Sequence, residues 1–557
     1  MLFLIFATIK MVFMNKTFQI SGQIVDLVNS RIFSGVVTIK DGKIASVKEE
    51  DVKERQYIMP GFIDSHVHVE SSMVVPSEFA RMAVCHGTVA SVSDPHEIAN
   101  VMGVEGVKYM IANGNRVPFK FFFGAPSCVP ATSFETSGFT LDSKAIDELM
   151  QMDDIYYLAE MMNWPGVLFD DSEMLKKIES AKRIGKPVDG HAPALRGDNI
   201  KKYVAAGINT DHECLTFEEA KEKIELGMKI LISEGSAAKN FEALIPLIAS
   251  HPEMVMFCSD DKHPDDLVRG HINQLVKRAI DMGYNIMDVL KAASLNSVKH
   301  YNLNVGLLQK GDDADFIVID NLEELNVLQT YIKGDLVAEN GVSKIEHLET
   351  KPINNFNAEP IKAADIRLAD CGKRIKVISC IDGQLVTELV ITKPKVEKGN
   401  IVSDVSRDIL KLVVVNRYEK TQPAVSFIQN MGLKQGAIAS SVAHDSHNIV
   451  AVGTTDDDIV KAVNLLIENG GGVVVVSSDE STVLPLPVAG LMSNGDGYKV
   501  AEDYEKADAL AHKLGTTLNA PFMTLAFMSL LVIPELKLSD KGLFDGKKFA
   551  FTSAFED

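Results

Sequence analysis

The histidines at positions 66 and 68 lie two residues apart in the run Pro60-Gly-Phe-Ile-Asp-Ser-His-Val-His-Val-Glu70. The apolar residues before them predict a strand, and residues two apart on a strand face the same side. His66 and His68 could therefore bind one metal ion together from the end of a single strand. This pair predicts that a catalytic metal site of a hydrolytic enzyme begins here.

Further candidate ligands follow later apolar runs. His191 ends the run that begins at Pro187, His212 follows Gly207-Ile-Asn-Thr-Asp, and Asp260 follows Val255-Met-Phe-Cys-Ser. In a parallel β/α barrel, active sites are built at the carboxyl ends of the strands. Four histidines and one aspartate at separate strand ends therefore predict a two-metal site.

Two neighbouring metal ions require a bridging ligand, and Glu160 is our candidate. It ends the run Tyr156-Tyr-Leu-Ala-Glu, and it lies between the first histidine pair and His191 in the sequence. The alternative is an ordinary surface or helix-capping glutamate. We expect the bridging role.

The run Asp94-Pro-His96-Glu97 follows Val89-Ala-Ser-Val-Ser and adds three ionisable groups at another strand end. It also has the form of a helix start, with Asp94 as the N-cap and proline at the first helical position. Both interpretations can hold together, because loops at a barrel mouth often begin helices.

These residues need a framework, and the chain between 60 and 302 supplies a pattern for one. Short apolar runs alternate there with helical stretches, which predicts a parallel sheet, and about 240 residues is the size of a (β/α)8 barrel. The segments 14–59 and 303–350 are rich in strands, with an Asp41-Gly42 hairpin turn in the first. We expect them to pair as one small β-domain. Residues 360–557 predict an additional α/β domain.

Helices are predicted where apolar residues recur at helical spacing. The predicted segments are 77–86, 143–150, 172–184, 199–206, 217–226, 285–299, 456–468 and 500–513. Strand-like runs such as Lys411-Leu-Val-Val-Val and Gly472-Val-Val-Val-Val alternate with the last two helices.

Composition limits the possible partners. The 557 residues carry a formal net charge of −20, which gives no electrostatic footprint for nucleic acid or an anionic membrane. Small molecules and metal cations are the expected partners.

The six cysteines form no CxxC pair and suit a reducing cytoplasm, where we expect the protein to work. Residues 1–13 are apolar but too short to span a bilayer, and we expect an over-extended start before Met14.

Taken together, the motifs resemble the amidohydrolase superfamily and, within it, the family of bacterial-type adenine deaminases. The resemblance covers about residues 20 to 557. It is carried by the runs Pro60–Met73, Ser93–Asn100, Ala159–Gly166, Asp189–Pro193, Asp211–Glu213, Cys258–Asp261, Gly270–Asn273, Gly306–Asp315 and Ser440–Asn448.

The resemblance implies a (β/α)8 TIM-type barrel with a small β-sandwich built from both flanking segments and a C-terminal domain. It also implies hydrolysis of adenine to hypoxanthine and ammonia with two divalent metal ions, manganese or iron(II), in a homo-oligomer. His66 and His68 would bind one ion, and His191 and His212 the other. Glu160 would bridge the ions where many relatives use a carboxylated lysine. Asp260 would contact the first ion and move protons.

Several roles stay open at this stage. Glu97 or His96 would hold or protonate ring N1 of the purine, and the sequence does not choose between them. Asp94, Asp261 and His271 lie in matching runs and are candidates for contacting the purine, although His271 is equally well explained as a surface residue at a helix start. A further group could reach the barrel mouth or a neighbouring subunit, or form a structural cluster: His444, Asp445 and His447.

Three other functions compete. A cyclic-amide hydrolase of the dihydroorotase or hydantoinase kind would share the scaffold but usually has lysine at the place of Glu160. An adenosine deaminase would lack the flanking β-segments. A catalytically silent binding protein would have lost ligands, whereas every proposed ligand is present in this chain.

Overall fold

A computed structural model describes residues 17–236 and 238–556. The expectation for the first 13 residues therefore lies outside the described residues. Eight parallel strands form the middle of the chain, and their carboxyl ends carry the predicted ligands. These barrel strands are, in order, Phe62–Val67, Thr88–Ser93, Lys120–Ala125, Ile155–Met161, Val188–Gly190, Thr210–Asp211, Lys229–Ser233 and Val255–Cys258.

Hydrogen bonds join these strands into a curled parallel sheet. The first five strands form one group and the last three another, and Asn209 N donates to Val188 O between the groups (3.1 Å). The ring closes at the site itself, where Asp260 N donates to His66 O (2.9 Å) and His68 N donates to Asp260 O (3.2 Å). This confirms the predicted parallel β/α architecture and places the first and last ligand-bearing strands side by side.

Most of the predicted helices of the barrel are confirmed. Three findings differ: the segment predicted as one helix over 285–299 is two helices, five further helices lie outside the predicted segments, and the helix start predicted after the second strand leads into two successive helices. Gly103 separates those two with a positive φ of 62°, which interrupts the helical pattern. The barrel helices are Pro76–Ala83, His96–Met102, Val104–Gly114, Ser143–Met150, Trp164–Leu168, Ser172–Arg183, Gly197–Ala205, Phe217–Glu225, Phe241–Leu244, Leu247–Ser250, Pro264–Arg269, Ile272–Asp281, Ile286–Ala292 and Leu295–Tyr301.

The two flanking segments form one eight-stranded sheet. Tyr57–Pro60 from the first segment pairs antiparallel with Phe316–Ile319 from the second, and the Asp41-Gly42 turn joins neighbouring strands as predicted. A division of this sheet into two sandwich layers stays a prediction. The remaining strands are Thr17–Asp26, Arg31–Lys40, Lys43–Glu49, Val327–Ile332, Asp335–Glu339 and Val342–Ser343.

The C-terminal part combines strands and helices. Its main sheet has eight strands: Ile375–Cys380, Thr387–Thr392, Ile409–Val415, Ala424–Gln429, Ala437–Ser440, Ile449–Gly453, Gly472–Val476 and Ser481–Pro485. Two three-stranded sheets comprise Leu368–Ala369, Lys395–Glu397 and Asn400–Val402, and Leu536–Ser539, Gly542–Asp545 and Ala550–Phe551. The helices are Asp456–Glu468, Gly497–Lys513 and Pro521–Ala526, and the first two overlap the predicted segments.

The C-terminal part packs directly on the barrel. The fully buried carboxylate of Glu78 on the first barrel helix accepts a hydrogen bond from Gly497 N (2.8 Å) of the C-terminal part. Ser493 N also donates to Met73 O (2.7 Å) in the loop after the first barrel strand. These contacts hold the C-terminal part over the carboxyl ends of the strands. Within the described ranges, no helix has the length and apolar character needed to cross a bilayer.

Candidate metal centre

The six predicted ligands meet at the carboxyl end of the barrel. Each comes from the end of a barrel strand or from the residues that directly follow it, and all six side chains are buried. Their imidazole nitrogens and carboxylate oxygens form overlapping groups in which the ligand atoms lie within 4.8 Å of one another. The six residues are His66, His68, Glu160, His191, His212 and Asp260.

Glu160 contacts histidines on both sides of the cluster. Its Oε1 lies 3.3 Å from His68 Nε2, whereas its Oε2 lies 2.7 Å from His191 Nδ1 and 3.3 Å from His212 Nε2. One carboxylate thus presents a separate oxygen to each of two groups of histidines. This is the arrangement that a bridging ligand requires.

Asp260 completes the group around the first histidine pair. Its Oδ1 lies 3.3 Å from His68 Nε2 and 3.7 Å from His66 Nε2. The two Nε2 atoms lie 3.2 Å apart, so His66 and His68 do point at one place, as the strand periodicity predicts. The His66 ring stacks on the ring of His212 at 4.0 Å, which brings the two halves of the cluster together.

The donor set suits divalent transition-metal ions. Imidazole nitrogens and carboxylate oxygens are the ligands that manganese, iron and zinc accept in proteins. His66 Nε2 and His68 Nε2 converge to 3.2 Å and both face Asp260 Oδ1, so nitrogen and oxygen donors of one group point at a shared place. Such convergence of imidazole and carboxylate donors fits a site that binds ions.

Electrostatics favours ionised carboxylates and a neutral His66, whereas the neighbouring carboxylates, acting against burial, raise the pKa values of His68, His191 and His212. Burial alone would raise the pKa of Glu160, but the charges of His191 and His212 hold it well below its usual value. Burial likewise opposes ionisation of Asp260, and a hydrogen bond from His68 lowers its pKa. Burial and the neighbouring His212 lower the pKa of His66 well below its usual value. Two ionised carboxylates and a neutral imidazole are competent to bind a cation.

A buried lysine supports the strand ends that carry His191 and His212. Lys223 Nζ donates to Asp211 Oδ2 (2.5 Å), Glu219 Oε1 (2.6 Å) and Ala192 O (2.7 Å), and the lysine is fully buried. Asp211 Oδ1 in turn accepts from Ala192 N at 3.1 Å. Because Ala192 follows His191 and Asp211 precedes His212, this network fixes the spacing of the two histidines.

The structure places His271 below the cluster. Its Nε2 lies 2.8 Å from Asp64 Oδ2 and its Nδ1 lies 2.7 Å from Thr88 Oγ1, and the residue is fully buried. Both ring nitrogens therefore bind protein atoms. His271 lies neither in a purine pocket nor at the surface, which were the two positions expected from the sequence. Asp64 also accepts from Ser259 N (3.0 Å), so His271 supports the strand end that carries Asp260.

The helix after the second strand begins at His96, with Pro95 as its N-cap. The expected capping role of Asp94 is wrong, because its carboxylate makes no hydrogen bond with any described residue and the N-cap makes no side-chain bond. Instead, Glu70 Oε1 accepts from Ile98 N at 3.1 Å and anchors the helix. His96 Nδ1 lies 3.5 Å from Glu160 Oε1, which places it at the edge of the cluster.

Two histidines of the C-terminal part hold Glu97. Its Oε1 lies 2.5 Å from His444 Nδ1, and its Oε2 is hydrogen-bonded to His447 Nε2. Burial opposes ionisation of Glu97, but both histidines keep its pKa well below the usual value. Burial also opposes protonation of His444, yet Glu97 and Asp261 raise its pKa to about 9. The sequence left three positions possible for His444 and His447: the barrel mouth, a neighbouring subunit or a structural cluster. In the structure both histidines lie at the barrel mouth, in contact with Glu97.

A small inner cavity lies over the cluster and is closed by the C-terminal part. Its polar lining comprises His68, His96, Glu97, Glu160, His191, His212, Glu213, Asp260, Asp261, His444 and Asp445. Its apolar lining comprises Met162, Leu385, Phe527 and Leu530. Glu213 was not assigned a role from the sequence, although its position directly after the candidate ligand His212 could have predicted that it lines the cavity. The apolar residues give no such signal, because only the docking of the C-terminal part brings three of them here.

Comparison with known families agrees with this division of the chain. The family described as "Amidohydrolase family" matches residues 57–337, and the family described as "Adenine deaminase C-terminal domain" matches residues 384–550. The first match covers the barrel and the strands of the small sheet from Tyr57–Pro60 as far as residue 337, and the second covers most of the part that closes the cavity.

Whole-length relatives are also similar. The adenine deaminase of Methanosarcina mazei is 54% identical over 550 residues, which cover 96% of this chain and 99% of the relative. The adenine deaminase of Salinibacter ruber is 55% identical over 547 residues, which cover 98% of this chain and 100% of the relative. The adenine deaminase of Borreliella burgdorferi is 48% identical over 542 residues, which cover 96% of this chain and 99% of the relative.

Proposed function

The chain belongs to the adenine deaminase family of the amidohydrolases, and on this premise we propose that its buried cluster holds the two metal ions with which it hydrolyses adenine. The products are hypoxanthine and ammonia. The observation that carries the two-ion assignment is the position of Glu160, whose two oxygens face different groups of histidines.

In this proposal His66, His68 and Asp260 hold one ion, and His191 and His212 hold the other. Glu160 would be a ligand to both ions, with one oxygen toward each group of histidines. Manganese and iron(II) suit this mixture of imidazole and carboxylate ligands. Bound there, the ions would lower the pKa of water and supply hydroxide at neutral pH.

Asp260 is the proposed base. When hydroxide adds to C6 of adenine, Asp260 would accept the hydroxide proton and pass it to the departing 6-amino group. The C6–N6 bond then breaks and ammonia leaves, while the new C6–O bond becomes the carbonyl of hypoxanthine. Asp260 suits this task because neighbouring histidines keep it ionised and because it lies beside His66 and His68.

Glu97 is the proposed group that relays a proton from His444 to N1 when C6 becomes tetrahedral. The sequence left Glu97 and His96 as equal candidates. Both residues line the cavity, and Glu97 is favoured because it shares a 2.5 Å hydrogen bond with His444, whose raised pKa keeps a proton available. His96 instead faces Asp94 at 3.2 Å and Glu160 at 3.5 Å.

The purine itself would lie against Leu385, Phe527 and Leu530, which offer an apolar wall for a flat base. Asp261, one of the proposed polar contacts, lines the cavity. Its Oδ1 accepts a hydrogen bond from Ser71 Oγ (2.5 Å). Asp94 lies at the second strand end, and its carboxylate, which makes no hydrogen bond with any described residue but lies 3.2 Å from His96 Nδ1, is a second candidate for a purine contact.

A substrate panel tests this function against the cyclic-amide alternative. Manganese-loaded protein is assayed with adenine, dihydroorotate and hydantoin, by ammonia release and ultraviolet absorbance. We expect loss of adenine with one ammonia per hypoxanthine, and no turnover by the His66→Ala variant. Opening of either cyclic amide while adenine stays unchanged would overturn the proposal.

A further inference from the structure

A second pocket, here called the outer pocket, adjoins the inner cavity. It has a volume of about 380 Å³, whereas the inner cavity has only about 30 Å³ of free space. Three barrel residues line both spaces: His212, Glu213 and Asp260. The outer pocket therefore leads directly to the side of the cluster where the proposed base lies.

The inner cavity is too small to admit a purine without movement of its walls. A cavity of about 30 Å³ has room for only about two or three water molecules, and adenine has ten heavy atoms. Some lining side chain must move for substrate to enter. The residues that line both spaces are the candidates, because they separate one space from the other.

Leu385 is the candidate that the C-terminal part contributes. Among the described residues of that part, it alone lines both the outer pocket and the inner cavity. Its side chain is partly buried, whereas Val386 beside it is 37% exposed. The other residues shared by both spaces are polar members of the cluster, held by their own contacts. An aliphatic side chain without polar partners can change rotamer at lower cost.

The backbone of Leu385 is fixed from below by a buried lysine. Lys537 Nζ donates to Leu385 O (2.6 Å) and to Phe527 O (2.9 Å), and Lys537 is fully buried. The Phe527 ring, which lines the inner cavity, stacks on His444 at 4.4 Å. One amine thus ties together two loops of the cavity wall. Burying an amine is costly unless it is hydrogen-bonded, so this placement needs the two carbonyls.

We propose that Leu385 controls passage between the outer pocket and the inner cavity, and that Lys537 is a positioning residue that holds the Leu385 backbone. The Leu385 side chain then sets how readily substrate and ions reach the cluster. This inference rests on the proposed function, because that function requires adenine and metal ions to reach the buried centre.

Two exchanges of Leu385 test the proposal in opposite directions. Manganese loss from the loaded full-length protein to excess EDTA is followed over time, and kcat/KM for adenine is measured in parallel. We expect Leu385→Ala to lose manganese at least fivefold faster than wild type. Leu385→Trp is expected to lose it at least fivefold more slowly and to have a kcat/KM at least tenfold lower. Leu389→Ala, in the same segment but outside both pockets, should stay within twofold of wild type.

Lys537→Met provides a second, independent test. It removes both hydrogen bonds and should accelerate manganese loss at least threefold while the Leu385 side chain is intact. Equal rates of manganese loss for Leu385→Ala and Leu389→Ala, with wild-type kcat/KM in Leu385→Trp, would overturn the proposal. If wild-type protein fails to deaminate adenine, the proposed function fails, but the rates of manganese loss still decide whether Leu385 controls access.

Discussion

Glu97 Oε1 and His444 Nδ1 lie 2.5 Å apart although the two residues are 347 positions apart in the chain. Glu97 belongs to the barrel, whereas His444 belongs to the C-terminal part. The lining of the inner cavity is therefore completed only when the C-terminal part packs on the barrel. Both side chains are buried, so the hydrogen bond forms in a medium where it is stronger than in water.

Removing His444 should impair catalysis without emptying the metal site. We expect His444→Ala to lower kcat/KM for adenine by about 100-fold, because proton transfer by a positioned side chain contributes about 10²–10⁴-fold. Manganese content should stay that of wild type. Glu97→Gln and the double variant complete a cycle, and the double variant should lose little more than either single variant. His512→Ala, a partly exposed histidine of the same part, serves as the control.

Additive losses in that cycle would show that Glu97 and His444 act separately. Such a result would contradict the proposed delivery of a proton to N1 by the pair.

Lys223 should matter more for metal retention than for substrate binding. Lys223→Met leaves Asp211 buried without its cation, and breaking a buried pair costs about 3–5 kcal/mol of the free energy of unfolding. We expect a lower melting temperature and less than two manganese ions per chain by metal analysis. Lys221→Met on the exposed face of the same helix is the control and should change neither quantity measurably. Full metal content in Lys223→Met would show that the network does not set the spacing of His191 and His212.

His271 is expected to act through Asp64 rather than on the substrate. His271→Asn should lower kcat for adenine while KM stays within about threefold of wild type, because both imidazole nitrogens already bind protein atoms. Steady-state kinetics at several manganese concentrations measure both parameters. A large rise in KM with unchanged kcat would instead support a direct purine contact by His271.

Glu135 predicts a pH dependence of stability. Burial raises the pKa of Glu135 to about 8, although Ser446 donates a hydrogen bond to it. The folded protein then keeps a proton that the unfolded chain releases above pH 4.5. The stabilisation from this group is complete at low pH and is lost as the pH rises toward 8. The difference in melting temperature between wild type and Glu135→Gln should shift against wild type as the pH is raised from about 5 to about 8. A constant difference across that range would contradict this assignment.

The strand-end ligands could be predicted because local sequence encodes them. His66 and His68 follow an apolar run at the spacing of a strand, and His191 and His212 each end another such run. In a barrel, strand ends must meet at one face, so local patterns are sufficient to bring these residues together.

The partners of Glu97 could not be predicted in the same way. No local rule states which barrel residue His444 will meet, because that depends on how two separately built parts pack. The capping role expected for Asp94 failed for a related reason. Glu70, from a different strand end, anchors that helix through Ile98 N, and a tertiary contact replaces the local one.

The most direct test of the two-ion centre is ammonia release from adenine by metal-free protein as manganese is added in known amounts. The position of Glu160 between two groups of histidines predicts that activity is absent without metal and reaches its maximum at two manganese ions per chain. A maximum at one ion per chain, or adenine left unchanged at every loading, would contradict the account.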